Sequence, residues 1–150
     1  MKYVVFAAII VSMTSFKNIK NINADKIIGK WIANEGKNVI VLVYKHGTEF
    51  KAKIVWFDDS DDKARPMATR YDNKNPDKNL RSRKLIGLEV LGGLTYNAED
   101  DEWRDVHIYD PSSDKEYSAK TWFTSEGMLK VRGYCPFEIF GQTMWFTKIN

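Results

Sequence analysis

The sequence predicts an all-β protein, a single antiparallel barrel of about eight strands that follows an N-terminal signal peptide. Beyond residue 24 the apolar residues alternate with a period of two, turn-forming residues separate these runs, and no helical period is convincing. Short strands joined by short turns are typical of antiparallel barrels and sandwiches. We favour a barrel because residues 38–44 carry large side chains on both faces, and a barrel strand can be lined inside and covered outside.

The first 24 residues have the order of a secretory signal. Lys2 gives a basic start, residues 3–16 are almost entirely apolar, and Ala24 is a small residue at the predicted cut. The apolar run of 14 residues is shorter than the roughly 20 that a spanning helix needs, so we expect no stable membrane insertion after removal of the signal. The sequence therefore predicts a signal peptide over residues 1–24, export to the periplasm or medium, and a barrel domain over residues 25–150.

The charge balance argues against a nucleic-acid partner, and the single cysteine rules out an intrachain disulfide. Three of the 23 basic residues lie in the predicted signal and no acidic residue does, so residues 25–150 carry 20 basic and 20 acidic side chains. A neutral domain lacks the surplus of cations that displaces counterions from nucleic acid, so no nucleic-acid partner is expected. Cys135 is the only cysteine, which excludes an intrachain disulfide.

The strands can be placed in order from alternation and turn residues. In the third, Phe50, Ala52, Ile54 and Trp56 share one face, which is the pattern of a half-buried strand. The Gly92-Gly93 pair in the fourth indicates a bend or bulge. The predicted strands cover residues 27–32, 38–44, 48–57, 84–95, 103–109, 116–123, 128–134 and 141–149.

A long polar segment interrupts this series. The apolar pattern stops over residues 58–79, and structureless loops longer than about 15 residues are uncommon unless they act as lids or are disordered. We expect an ordered, lid-like loop over residues 58–83, with a mobile surface excursion as the alternative.

The end of this loop concentrates polar groups. Turn chemistry assigns loop-shaping roles to four residues, since Asx side chains cap their own backbone and proline fixes φ. Two arginines follow, and a guanidinium grips carboxylate or phosphate bidentately. They are either aimed at an anionic ligand or paired with the loop's own carboxylates and carbonyls. The loop-shaping residues are Asp72, Asn75, Pro76 and Asp77, and the arginines are Arg81 and Arg83.

Large residues with polar tips on the strands extend the candidate ligand site. Arg132 and Tyr134 share a face of the penultimate strand, and Tyr109 and Tyr117 flank the turn at Asp110. Such groups orient a ligand in an otherwise apolar cavity. The alternative is structural, with Arg132 stacked on an aromatic ring or neutralising Asp110. The candidate ligand-binding residues are Arg81, Arg83, Arg132, Tyr109, Tyr117, Tyr134 and Trp56.

Several separated motifs carry a family resemblance. They are Gly29-Lys30-Trp31, Asn75-Pro76, Arg81-Ser82-Arg83, Val131-Arg132-Gly133-Tyr134 and Gly141-Gln142-Thr143-Met144-Trp145. Over essentially all of residues 25–150 this series resembles the secreted bacterial domain-of-unknown-function 2147 family. The resemblance implies a lipocalin-like, or calycin-type, barrel and no established activity.

The resemblance also implies how one end of the barrel closes. Gly29 and Trp31 match the Gly-x-Trp that plugs the closed end of lipocalin-like barrels. Lys148 stands where the family usually has an arginine, and a lysine stem can still pack over the tryptophan. Cys135 replaces a residue that is usually aliphatic.

The sequence lacks the common motifs of catalytic and metal-binding sites. His46 and His107 lack the spacing of a zinc site, and no nucleophile elbow or phosphate-binding loop is present. We therefore expect no enzyme, no cofactor and no metal. The leading hypothesis is a barrel that binds a small apolar or amphiphilic ligand. The alternative is a filled barrel that acts as a structural or protein-interaction module of the cell envelope.

Overall fold

The computed structural model describes residues 23–36, 38–134 and 141–150. Residues 1–22 of the predicted signal peptide and Cys135 lie outside the described residues. A short helical turn at residues 23–25 precedes the first strand. No helix in the described part of the chain is long and apolar enough to cross a bilayer.

Eight strands form one closed antiparallel barrel in chain order. Each strand pairs with the next, and the eighth pairs with the first, so the all-β barrel prediction is confirmed. The strands are β1 Gly29–Ala33, β2 Val39–His46, β3 Glu49–Phe57, β4 Glu89–Asn97, β5 Glu102–Asp110, β6 Lys115–Phe123, β7 Leu129–Tyr134 and β8 Gln142–Ile149. Two 3₁₀ helices, Met67–Thr69 and Lys78–Leu80, lie in the connection between β3 and β4.

The two ends of the barrel differ. The plugged end is where β1 begins, and Ile27 and Ile28 pack against the core there. The loop end is where β3 ends, and it carries the long connection over residues 58–88. Because neighbouring strands alternate in direction, the turn between β5 and β6 also lies at the loop end.

Aromatic rings fill the plugged end. Trp31 is 1% exposed and Trp103 is fully buried, and both rings lie 5.6 Å from the ring of Phe123. Tyr96 packs 5.0 Å from Trp103. The indole Nε1 of Trp31 donates to the carbonyl of Ile27 at 2.8 Å, which ties the N-terminal turn to the core. This half of the barrel interior is densely filled.

The inner wall toward the loop end is less completely covered. Five aliphatic residues there pack against the core cluster yet keep part of their surface exposed. Strand pairing places them on the inner face, because directly paired residues point to the same side of a sheet. These residues are Val39, Val41, Leu91, Ile108 and Val131.

The face predicted for Trp56 is wrong. A bulge between β2 and β3 makes Val41 pair with Ile54 while Ile40 pairs with Trp56. The extra residue reverses the alternation, so Trp56 lies on the outer wall beside Ile40 and is 37% exposed.

The start of the fourth strand was also predicted too early. β4 begins at Glu89, whereas residues 84–88 belong to the long connection. Lys84 forms only an isolated bridge with Tyr71, and Gly87 has a φ of 84° that interrupts an extended strand.

The Gly92-Gly93 bend coincides with a second irregularity, in β5. The pairing of β5 with β6 shifts between Trp103 and Val106, and Asp105 adopts a φ of 61°. Gly93 has a φ of 74°, and a Cβ added there would meet the carbonyl oxygen of Asp105 at 2.9 Å. Glycine at this position therefore allows the two backbones to approach.

Alanine substitutions at Gly47 and Gly93 distinguish the cost of a positive φ from the cost of the clash with Asp105. Gly47 also has a positive φ, but nothing lies within 4 Å of an added Cβ. We expect Gly47→Ala to lower the free energy of unfolding by about 1 kcal/mol, from backbone strain alone. Gly93→Ala should cost roughly 2–3 kcal/mol, because the clash adds to that strain. Urea denaturation measures both, and equal losses would show that the contact with Asp105 is not limiting.

Candidate functional site

A buried carboxylate organises the end of the long connection. The side chain of Asp72 has no exposed surface. Its Oδ1 accepts a hydrogen bond from the Tyr109 hydroxyl at 2.6 Å, and its Oδ2 accepts from Arg83 Nη2 at 2.8 Å and from Asn75 Nδ2 at 2.9 Å. A buried charge is tolerated only when it is paired and hydrogen-bonded, and three donors meet that requirement.

Local turn chemistry positions these groups. The backbone N–H of Asn75 donates to the carbonyl of Asp72 at 3.1 Å, and the N–H of Asp72 donates to the carbonyl of Arg83 at 2.9 Å. The side-chain oxygen of Asn75 accepts from the N–H of Asp77 at 3.0 Å, as an Asx turn does. Asp77 in turn caps the 3₁₀ helix that begins at Lys78. The four loop-shaping residues, Asp72, Asn75, Pro76 and Asp77, thus fall in one continuous turn.

Both arginines of this segment contact the loop itself. Arg81 Nε donates to the carbonyl of Asn75 at 2.6 Å. Arg83 pairs with Asp72, and its guanidinium lies 5.9 Å from the ring centroid of Tyr109. The structural alternative for Arg81 and Arg83 therefore has direct contacts to support it. These contacts fasten the loop to the end of β5.

This environment raises the pKa of the Tyr109 phenol. Burial, followed by the hydrogen bond to the Asp72 carboxylate, raises the pKa of Tyr109 from 10.0 to about 12. Both effects disfavour the phenolate, which would lose its donor role and face a neighbouring negative charge. Tyr109 therefore stays a hydrogen-bond donor to Asp72 throughout the neutral range.

A second centre, missed by the sequence analysis, is Arg70. Its guanidinium donates to Asp61 Oδ1 at 2.8 Å and to the carbonyls of Asp59 at 2.9 Å and Arg65 at 2.8 Å. It also lies 5.6 Å from the ring of Phe57, the last residue of β3. The sequence feature that could have identified Arg70 is the cluster of four aspartates before it, because clustered carboxylates in an ordered loop need a cation.

The hydrogen bond from Arg70 lowers the pKa of Asp61, and the same bond raises the pKa of Arg70. Arg70 therefore neutralises part of the negative charge of residues 58–70, although the Asp61 side chain is 68% exposed.

The candidate residues on the strands lie on different walls. Tyr117 pairs with Ile108 and faces the interior. Tyr109 lies on the opposite side of β5 from Ile108, toward Asp72. Arg132 is on the outer wall, where its Nη1 donates to Thr143 at 3.1 Å. Of the strand positions proposed from sequence, only Tyr117 faces the barrel interior.

Tyr134 belongs to a separate feature of the outer wall. It pairs with Ser118, which pairs with His107, so the three residues form a row across β5, β6 and β7. The row borders an open groove of about 400 Å³. Among the described residues, no group of three His, Cys, Asp or Glu side chains is placed to hold a metal ion.

The barrel-closing residues meet at the plugged end. Lys148 pairs with Trp31, and its Nζ lies 5.4 Å from the indole centroid. Its Nζ also donates to the carbonyl of Lys26 at 3.3 Å. A Cβ on Gly29 would lie 2.8 Å from Lys148 Cε, so glycine leaves room for the lysine stem. The end of the lysine side chain therefore lies over the tryptophan ring.

The remaining candidate site is the inner wall at the loop end. The five half-buried aliphatic residues line it together with Tyr117 and Met144. Met144 pairs with Val131 and is 45% exposed, although Phe146, on the same face of β8, is buried. Sequence alternation alone could not identify this set, because bulges in β3 and β5 change which residues face inward.

Removing the buried carboxylate tests its structural role. Asp72→Ala leaves Arg83 and Tyr109 without their acceptor, and we expect a loss of about 3–5 kcal/mol in the free energy of unfolding. Asp100→Ala removes an ion pair with Arg104 in which both side chains are about half exposed, and should cost less than about 1 kcal/mol. Urea denaturation measures both, and limited proteolysis of the Asp72 variant should show faster cleavage within residues 58–88. Equal stability of the two variants would contradict a structural role for Asp72.

The raised pKa of Tyr109 makes stability depend on pH in the alkaline range. Above pH 10 the unfolded chain loses the phenol proton while the folded chain keeps it, so stability falls as pH rises from 10 to about 12. Below pH 10 the contribution is fully present. Tyr109→Phe should make the decline of unfolding free energy with pH shallower, measured by urea denaturation between pH 9 and 12. Tyr71→Phe, at a residue 41% exposed, is the control, and an unchanged slope in the Tyr109 variant would refute the coupling.

Comparisons with known proteins agree with the geometry. The family model described as "Uncharacterized protein conserved in bacteria (DUF2147)" matches residues 29–148. A solved structure described as protein HP1028 from the human pathogen Helicobacter pylori, of the lipocalin family, matches with a TM-score of 0.69 and 20% identity over 83% of each chain. That likeness shows a lipocalin-like fold and no more. No curated protein matches. Because the family model runs from the first residue of β1 almost to the end of β8, the chain belongs to the DUF2147 family of uncharacterised bacterial proteins.

Proposed function

We propose that this protein binds a small apolar or amphiphilic molecule in the loop end of the barrel, and that it is a binding protein and not an enzyme. The observation that carries the proposal is the partial exposure of inner-wall aliphatic residues beside a densely packed plug. The lipocalin-like fold supports the same reading at the level of architecture.

Exposure on an inner wall has a direct physical meaning. Val41 and Val131 pack against the core cluster, so their remaining exposed surface faces space that water can reach. An eight-stranded barrel is either just filled by its own side chains or holds one small ligand. Half-buried aliphatic groups at one end favour the second case, because displacing water from them stabilises a complex by about 25 cal/mol per Å².

The long connection has a framing role in this proposal. Asp72 fastens residues 72–83 to β5, and Arg70 holds residues 58–70 together next to Phe57. Both centres lie at the loop end, with Asp72 against the outer side of β5, so in this proposal they hold the long connection beside the entrance. In this proposal Arg81 and Arg83 act through the loop, and Tyr117 is the polar group that meets the ligand.

We also propose that the protein is exported, with residues 1–24 as the signal. The pattern of a basic start, a short apolar run and a small residue supports this.

Filling the inner wall tests the binding proposal. Val41→Phe adds volume inside the barrel, whereas Leu42→Phe adds the same kind of ring to the outer wall of the same strand. We expect at least tenfold weaker binding of the neutral dye Nile red for the Val41 variant, with little change for the Leu42 variant, measured by fluorescence titration. Native mass spectrometry of the protein from its own cells, followed by organic extraction, would identify a natural ligand.

Binding that Val41→Phe leaves unchanged would place the dye elsewhere. Absence of any bound molecule, in cells and with added lipid extract, would instead favour a filled barrel that serves as an interaction module.

A further inference from the structure

We propose that the loop end of the barrel selects an uncharged molecule, such as an alcohol, ester or hydrocarbon, and discriminates against a carboxylate of the same chain length. This inference rests on the proposed binding function and names the ligand class. The basis for it is that the inner wall near the loop end is uncharged, whereas the arginines nearby contact the loop or the outer wall.

Between the rim and the aromatic plug, the inner wall carries no charge among the strand residues that the structure describes. The half-buried side chains of this stretch are aliphatic, apart from Tyr117 and from Phe57, which pairs with Val39, and Met144 is exposed. The hydroxyl of Thr121, another inner position, already donates to the carbonyl of Lys130 at 2.6 Å. A ligand in this space therefore meets apolar surface and the Tyr117 side chain.

The guanidinium groups at the loop end have other partners. Arg83 is held by Asp72, Arg81 by the carbonyl of Asn75, and Arg70 by Asp61. Arg132 points to the outer wall, where it contacts Thr143. The arginines that would suit an acidic head group are thus directed into the loop or away from the interior.

The two inner lysines below the rim lie too far from the loop end to pair with a ligand there. Lys148 and Lys45 lie at the plugged end, where their Nζ atoms contact the carbonyl of Lys26 at 3.3 Å and the carboxylate of Asp25 at 2.8 Å. Trp31, 1% exposed, separates them from the loop end. At the rim of the loop end Lys115 lies opposite Asp110 in the strand register, so a cation and an anion are neighbours at that position.

Desolvation then decides between ligand classes. A carboxylate that loses water without gaining a cation is destabilised, so it binds less tightly or takes up a proton. An alcohol of the same length loses far less on entering the same space. Binding of the acid should therefore strengthen as pH falls toward its own pKa, while binding of the alcohol stays constant.

The experiment compares decan-1-ol and decanoate as competitors of Nile red in the full chain. At pH 8 we expect the alcohol to bind at least tenfold more tightly, with the gap narrowing at pH 5. Met144→Lys places a cation on the exposed part of the inner wall and should bring decanoate to within about threefold of the alcohol. Ser118→Lys, an exposed position on the outer wall, should leave the preference unchanged.

The outcomes separate the two proposals. If neither compound binds, the binding function itself fails. If wild-type protein binds decanoate as tightly as decan-1-ol at pH 8, binding stands and the selection for an uncharged ligand is overturned. Loss of decanoate binding in Lys115→Gln, or a folded Met144→Lys variant with unaltered preference, would also overturn it, because the charge of the inner wall would then not control the choice.

Discussion

Closure of the sheet is the constraint on which the other features depend. When β8 pairs with β1, every strand has two hydrogen-bonded neighbours and each strand side chain must face either the interior or the outside. A shift of one residue exchanges these two environments. The bulges in β3 and β5 therefore decide the chemistry of the interior as much as the residues themselves do. The outer position of Trp56 follows directly from one of them.

The long connection solves a different problem. It holds few apolar residues and has to become ordered without a core of its own. Two charged side chains with several partners take the place of that core, Asp72 near β5 and Arg70 near β3. Arg70 joins groups within residues 59–70, and Asp72 joins Asn75 and Arg83 to Tyr109 of β5. Polar centres of this kind give a loop one definite shape where hydrophobic packing is scarce.

Much of the fold was predictable because it follows from local pattern. Alternation located the strands, and turn residues set their order, so the barrel and the turn around Asn75 could be anticipated. The site was less accessible, since the partner of each polar group comes from far along the chain. Arg83 reads equally well as a ligand contact or as the partner of Asp72, and only tertiary geometry separates the two. The sequence analysis included Tyr109 among the candidate ligand-binding residues. In the structure its side chain lies outside the barrel, because the preceding residue of β5, Ile108, faces the interior.

The pairing of the first strand with the last has a consequence for folding. Trp31 pairs with Lys148, so the hydrogen-bonded ring closes only after nearly the whole described chain has emerged. Contacts this distant in sequence form slowly, because the intervening chain must be ordered first. Until then β1 has an unpaired edge, and the aromatic plug lacks the lysine that covers it. Such a chain therefore stays open for longer during synthesis than a chain whose strands pair only with their sequence neighbours.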